Sequence, residues 1–152
     1  MSSVVLFLCS GNYYRSRFAE LLFNHLAAES GLLYRADSAG LWPDCRDHNV
    51  GPIATETVRA LHARGVPLPS LHREPRDVTE ADFRDATVTI AVKEAEHRLL
   101  VASRFPSFLE QVEFWNVHDI DVASPHESIP ALERNVRGLI ARLAQTRPVA
   151  AT

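Results

Sequence analysis

The feature that most constrains this chain is an uninterrupted apolar run, Val4-Val5-Leu6-Phe7-Leu8, which ends at Cys9-Ser10-Gly11-Asn12 and gives way to helical periodicity. So short a run of β-branched and aromatic residues reads as a buried strand. From Arg15 to Ala28 the apolar residues Phe18, Ala19, Leu21, Leu22 and Leu26 follow a helical period. Gly31 stands where a helix stop is expected.

The alternation continues along the chain. Leu32 to Ser38 reads as a weaker strand, followed by a loop holding Gly40, Pro43, Asp44 and Asn49. Pro52 opens a helix striped by Ile53, Thr57, Val58 and Leu61, which stops at Gly65. A proline-rich loop from Val66 to Arg76 precedes a third strand over Ala86 to Val92 and a helix near Glu94 to Ser103. A fourth strand is expected around Gln111 to Trp115. The last helix is expected from about Ile129 to Ala144, with Leu132, Val136, Leu139, Ile140 and Leu143 on one face. Strand–helix alternation predicts an α/β fold, a parallel sheet covered by helices on both sides. Its site belongs at the carboxyl ends of the strands. The 152 residues fit one domain spanning residues 1–152, without repeats or linkers.

Charge and cysteine usage narrow the partners. A formal net charge of −3 gives no long-range attraction to nucleic acid or anionic lipid, so neither is expected as a partner. The opening apolar run is too short to span a bilayer and lacks the basic flank of a secretory signal. Two cysteines, Cys9 and Cys45, make no disulfide scaffold and match no zinc spacing. A cytoplasmic monomer with reduced thiols is expected.

The chemistry concentrates where the first strand meets the first helix. A loop at a helix N-terminus turns free N–H groups and the positive dipole end toward one place. Five residues between Cys9 and Arg15 let the backbone curl into a cup with the sulfur at its base. Gly11 and Asn12 tolerate left-handed conformations that such a curl needs. Ser10, Gly11, Asn12, Tyr13, Tyr14, Arg15 and Ser16 are thus the expected phosphate-binding residues. The same field favours a thiolate at Cys9. Arg15 can grip two oxygens of the anion, and Ser16 can donate its hydroxyl to the sulfur. A bare C-x5-R spacing arises often by chance. Its placement here, with Gly and Asn inside, favours an oxyanion site over a merely buried cysteine.

The stretch from Phe7 to Glu20, with Cys9, Asn12, Arg15 and Ser16 at its heart, resembles the signature of low-molecular-weight protein-tyrosine phosphatases and their arsenate-reductase relatives. The likeness continues through Asp37-Ser38-Ala39-Gly40, Gly65-Val66-Pro67 and Val78-Thr79-Glu80-Ala81-Asp82-Phe83 to Val136-Arg137. It implies a four-stranded parallel sheet and a cofactor-free double displacement on a phosphorylated protein or small phosphate ester. Cys9 would attack phosphorus and form a phosphocysteine. A carboxylic acid would protonate the leaving oxygen, then activate water. Asn12, Ser16 and Ser38 match positions that brace the loop. Counting back from Val136-Arg137 places the acid on Asp119, with Asp121 as the alternative.

Several positions depart from that pattern. Tyr14 replaces a cysteine that commonly captures an oxidised nucleophile. Ile120, Asp121 and Val122 replace a proline and the aromatic walls after the acid, leaving Tyr13, Trp42 and Trp115 as candidate walls. His72 is the nearest candidate for a bracing histidine. An arsenate reductase using a small external thiol needs only Cys9, and a non-catalytic oxyanion-binding module would need no acid. The thioredoxin-coupled form needs cysteines further downstream, and none lies between Asp77 and Arg98. His118, Asp119, Asp121 and His126 lack the helical histidine spacing of common zinc sites, so no metal is expected.

Overall fold

The computed structural model of the protein describes residues 3–46, 48–120 and 122–146. Strands β1 (Ser3–Cys9), β2 (Tyr34–Gly40), β3 (Val88–Ala91) and β4 (Val112–Phe114) form one sheet in the order β2-β1-β3-β4. All its pairings are parallel. Helices α1 (Arg15–Glu29), α2 (Thr55–Ala63), α3 (Glu80–Asp85), α4 (Glu94–Arg104) and α5 (Pro125–Gln145) flank it. The expected α/β class, with four parallel strands, is the class observed.

Strand β1 explains why its sequence is apolar throughout. Side chains alternate across a strand. Val5, Phe7 and Cys9 join the core built with Phe18 and Leu22 of α1, Leu61 of α2, and Leu132, Val136 and Leu139 of α5. Leu6 and Leu8 point the other way, into the core of Phe83 from α3 and Val101 from α4. Phe83 there stacks on Phe108, with ring centroids 4.9 Å apart. Helices cover both faces, so no position of the strand's inner part can be polar. The alternation also delivers Cys9 to the α1 side at the carboxyl end of the sheet.

Element boundaries moved for identifiable reasons. Leu32 closes α1 rather than opening β2: its N–H donates to the Ala27 carbonyl (2.9 Å) as Gly31 turns through φ 67°. Helix α2 starts at Thr55, not Pro52, because Ala54 takes an extended backbone (φ −62°, ψ 136°) as its N–H donates to the Tyr13 carbonyl at 3.0 Å. Helix α5 begins at Pro125, before the apolar stripe that marked it from Ile129. Helix α3 was not anticipated. Its signal is the reciprocal cap in which Thr79 accepts from the Asp82 N–H and Asp82 from the Thr79 N–H.

Candidate active site

The segment from Cys9 to Tyr14 is held from outside by its carbonyls. Cys9 O accepts from Leu41 N (2.9 Å), Ser10 O from Trp42 N (2.9 Å) and Gly11 O from Arg46 Nε (2.7 Å). Asn12 O accepts from Arg17 Nη1 (3.3 Å), Tyr13 O from Ala54 N (3.0 Å) and Tyr14 O from Thr57 Oγ1 (2.9 Å). In a trans peptide the N–H points opposite to the preceding carbonyl. Outward carbonyls therefore turn the following N–H groups inward. Among the described residues the N–H groups of Gly11 to Tyr14 make no hydrogen bond. The result is a concavity at the start of α1 with free N–H groups turned inward, an arrangement that suits an anion.

Asn12 locks this curl. It takes φ 56° and is fully buried. Its Nδ2 donates to Ser16 Oγ and Ser38 Oγ, both at 2.8 Å, while its Oδ1 accepts from Arg73 Nη1 (2.9 Å) and Arg76 N (3.1 Å). Cys9 Sγ lies 3.0 Å from Ser16 Oγ. Because Asn12 donates to that oxygen, the Ser16 proton is left free to point at a thiolate. The structure corrects two readings here. Gly11 is not left-handed; it is small because a Cβ would sit 3.2 Å from Cys45 Sγ. The brace expected of His72 comes instead from Arg73, whose Nη2 donates to Ser38 Oγ (2.9 Å) and Glu20 Oε1 (2.9 Å).

Arg15 is 1% exposed and nearly surrounded by acceptors. Its Nη1 donates to Glu96 Oε2 (3.2 Å) and Val117 O (2.9 Å), and its Nη2 to Glu96 Oε1 (3.0 Å). Asp119 Oδ2 lies 3.4 Å from Nη2. Burial opposes the guanidinium charge, but Cys9, Glu96 and Asp119 outweigh it and hold its pKa above the ordinary arginine value. Glu96 is displaced the opposite way: burial opposes its charge, but Arg15, helped by Lys93, holds its pKa below the ordinary carboxylate value. The Arg15 Nε–H is buried without a partner, the donor an oxyanion in the loop can use.

Behind Glu96 runs a buried chain of hydrogen bonds. The Lys93 N–H donates to His97 Nδ1 at 3.1 Å. Burial, then the Arg15 charge, pushes the His97 pKa down to about 3, so the ring is neutral and its proton sits on Nε2. Nε2–H donates to Ser10 Oγ (3.1 Å), and the Ser10 hydroxyl donates to Glu96 Oε1 (3.2 Å). The Ser10 side chain is thus committed to Glu96 rather than to an anion. Sequence reasoning missed Glu96 and His97. Their place in the first turn of α4, at the carboxyl end of β3, was the available signal.

Cys9, Ser10, Arg15, Glu96 and Asp119 line one cavity of about 310 Å³. Tyr13 and Trp42 line it too, as two of the three candidate walls, together with Cys45 and Ile120. The Tyr13 hydroxyl is tied to the Val50 carbonyl at 2.5 Å, which fixes its ring. Trp115, the third candidate, packs on Phe7 in the core. Tyr14 lines the cavity as well; its ring is buried, and burial, then Asp119 and Glu56, raises its pKa to about 12. Asp121 lies outside the described residues. A larger cavity of about 450 Å³, between α2 and α5, contains none of the loop. Among the described residues no three His, Cys, Asp or Glu side chains are grouped to hold a metal ion, and no helix is long and apolar enough to cross a membrane.

Known proteins resemble this chain in sequence and in fold. A protein-arginine-phosphatase of Bacillus subtilis is 28% identical over 108 residues, which cover 71% of this chain and 67% of the relative. The low molecular weight protein-tyrosine-phosphatase YfkJ of Bacillus subtilis is 37% identical over 92 residues, covering 58% of this chain and 54% of the relative. The crystal structure of YfkJ superposes with a TM-score of 0.82 over 97% of this chain and 98% of that one, at 25% identity. A sequence model described as low molecular weight phosphotyrosine protein phosphatase matches residues 4–148, and the chain belongs to that family.

Proposed function

We propose that the protein hydrolyses phosphate monoesters, protein phosphotyrosine in particular, through a cysteinyl-phosphate intermediate. The observation that carries this reading is the inward-turned loop, with Cys9 Sγ at its base, sharing one cavity with Arg15 and Asp119. The free N–H groups of Gly11 to Tyr14 and the unpartnered Arg15 Nε would hold the non-bridging phosphate oxygens. The Cys9 thiolate would attack phosphorus, assisted by the Ser16 hydroxyl at 3.0 Å. The phosphorus–oxygen bond would break as the Asp119 carboxyl gives its proton to the leaving oxygen. Asp119 would then take a proton from water as that water displaces Cys9 from phosphorus. The chain needs no cofactor for either half. Tyr13 and Trp42 at the mouth suit an aryl ester, and a substrate protein or small phosphate ester is the partner required.

Cys9→Ser tests the nucleophile and Arg15→Lys the grip. The serine variant should lose turnover of p-nitrophenyl phosphate while still binding inorganic phosphate. The lysine variant should lose most of its catalytic efficiency, since an ammonium cannot reproduce a planar two-point contact. Retained turnover in Cys9→Ser would exclude Cys9 as the nucleophile.

One observation favours a second reading, arsenate reduction: Cys45 lines the same cavity as Cys9. Arsenate bound to Cys9 would take two electrons from Cys9 and a second thiol, leaving arsenite and a disulfide. Arsenite formation with a small external thiol, compared with aryl phosphate hydrolysis, separates the two.

A further inference from the structure

A second depression, of about 300 Å³, adjoins the catalytic cavity and is lined by Ser10, Trp42, Glu96, Leu99 and Leu100. Ser10, Trp42 and Glu96 line both, so the two spaces are neighbours that share these side chains. Its polar floor is already satisfied. Ser10 Oγ accepts from His97 and donates to Glu96, and Glu96 is paired with Arg15 and Lys93. No unpaired donor or acceptor is offered there by those two side chains. Its walls are apolar and unusually open to solvent: Leu99 is 75% exposed and Trp42 50%. Leu99 is on the first turns of α4, which leave the sheet at the same end as the loop.

From this adjacency we infer a specificity subsite for a large apolar side chain flanking the phosphorylated residue of a protein substrate. The inference rests on the phosphatase reading for what occupies the neighbouring loop. A phosphate seated over Cys9 places the substrate backbone at the cavity mouth, beside Trp42. A leucine-sized neighbour then covers Leu99, Leu100 and the Trp42 ring. A charged neighbour gains nothing on an apolar wall and would lose water there. The subsite thus selects protein segments with an apolar flank over free phosphate esters of similar reactivity.

The test separates binding from turnover. The affinity of the Cys9→Ser protein is measured for phosphotyrosine peptides carrying leucine or serine immediately before or after the phosphotyrosine. Partial burial of one leucine corresponds to about a three- to tenfold tighter complex for at least one leucine peptide. Adding Leu99→Glu, at a position open to solvent, should abolish that preference, whereas Leu99→Met should keep it. Equal affinities for leucine and serine peptides, or a preference that survives Leu99→Glu, overturn the subsite. Hydrolysis of p-nitrophenyl phosphate by the wild-type protein is measured alongside and reports on the phosphatase reading alone.

Discussion

Glu96 holds Arg15 at two points, Oε2 3.2 Å from Nη1 and Oε1 3.0 Å from Nη2, and so fixes the plane of the guanidinium that faces the loop. Two opposing effects follow from removing its charge. Glu96→Gln raises the positive potential in the cavity, which favours anion binding. It also loses one of the two contacts, which frees the guanidinium to rotate out of line. Hydrogen bonds to charged groups contribute about 1.5–3 kcal/mol, and orientation matters most in the transition state. We therefore expect kcat to fall about 10–100-fold with KM unchanged or lower. Steady-state kinetics on an aryl phosphate would read both parameters. A raised KM with normal kcat would show that Glu96 merely shapes the binding site.

His97 gives the chain a pH dependence of definite sign. Its pKa is about 3 in the folded protein, against about 6.5 for a free histidine. Below pH ~6.5 the unfolded chain binds a proton that the native ring refuses. Stability therefore falls as pH drops from that point toward 3, by up to about 1.4 kcal/mol per pH unit, and is unaffected by this group above it. Urea unfolding of wild type and His97→Gln at pH 9, 8, 6 and 5 should give parallel stabilities above neutrality and a steeper acid loss in wild type. Equal slopes would mean the native ring takes up its proton in the ordinary range.

Arg73 ties Asn12, Ser38 and Glu20 together from a loop that carries no regular structure. The side chain is 35% exposed, so solvent weakens its charge pairing. Even so, Arg73→Ala leaves the buried Asn12 Oδ1 with one donor instead of two. A loss of about 1–2 kcal/mol is expected, seen as a drop of about 2–8 °C in Tm. Phosphate affinity should fall with it, because Asn12 sets the left-handed turn. Unchanged melting and unchanged phosphate affinity would show that Asn12 needs no brace.

The contrast between legible and hidden parts of the site has a physical origin. Cys9, Asn12, Arg15 and Ser16 lie within eight consecutive residues, and the strand-to-helix turn that organises them is local. The groups that turn the loop inside out come from Leu41, Trp42, Arg46, Ala54 and Thr57, and no local periodicity points to them. Glu96 and His97 reach the loop only because β1 pairs with β3 in the register Leu8 to Ala91. That pairing sets the first turn of α4 beside Ser10. A cation was needed beside Asn12, but a proline-rich loop gives no register by which to choose Arg73 over His72. Ungapped counting along the family resemblance pointed to Asp119 as the acid, and the structure sets that side chain 3.4 Å from Arg15 in the same cavity.

Asp119→Asn should slow hydrolysis most for esters with poor leaving groups. A tyrosine oxygen needs a proton as it departs, whereas a nitrophenolate needs it much less. A positioned acid contributes ~10²–10⁴-fold, far more than an ordinary loop substitution removes. Asp119 Oδ2 stands 3.4 Å from the Arg15 guanidinium, and its Oδ1 accepts from the Ile120 N–H at 2.9 Å. The first contact orients the carboxyl over the loop, and the second leaves Oδ2 as the oxygen that faces substrate. An amide has the same shape and can keep the contact with the Ile120 N–H, but it gives up the pairing with Arg15 and has no proton to transfer. The ratio of rates for phenyl and p-nitrophenyl phosphate should therefore drop sharply in this variant, while Asp121→Asn affects both esters equally. Should Asp121→Asn show the leaving-group dependence instead, the acid lies two residues further along. Should neither show it, the loop binds its anion without the acid half of the reaction.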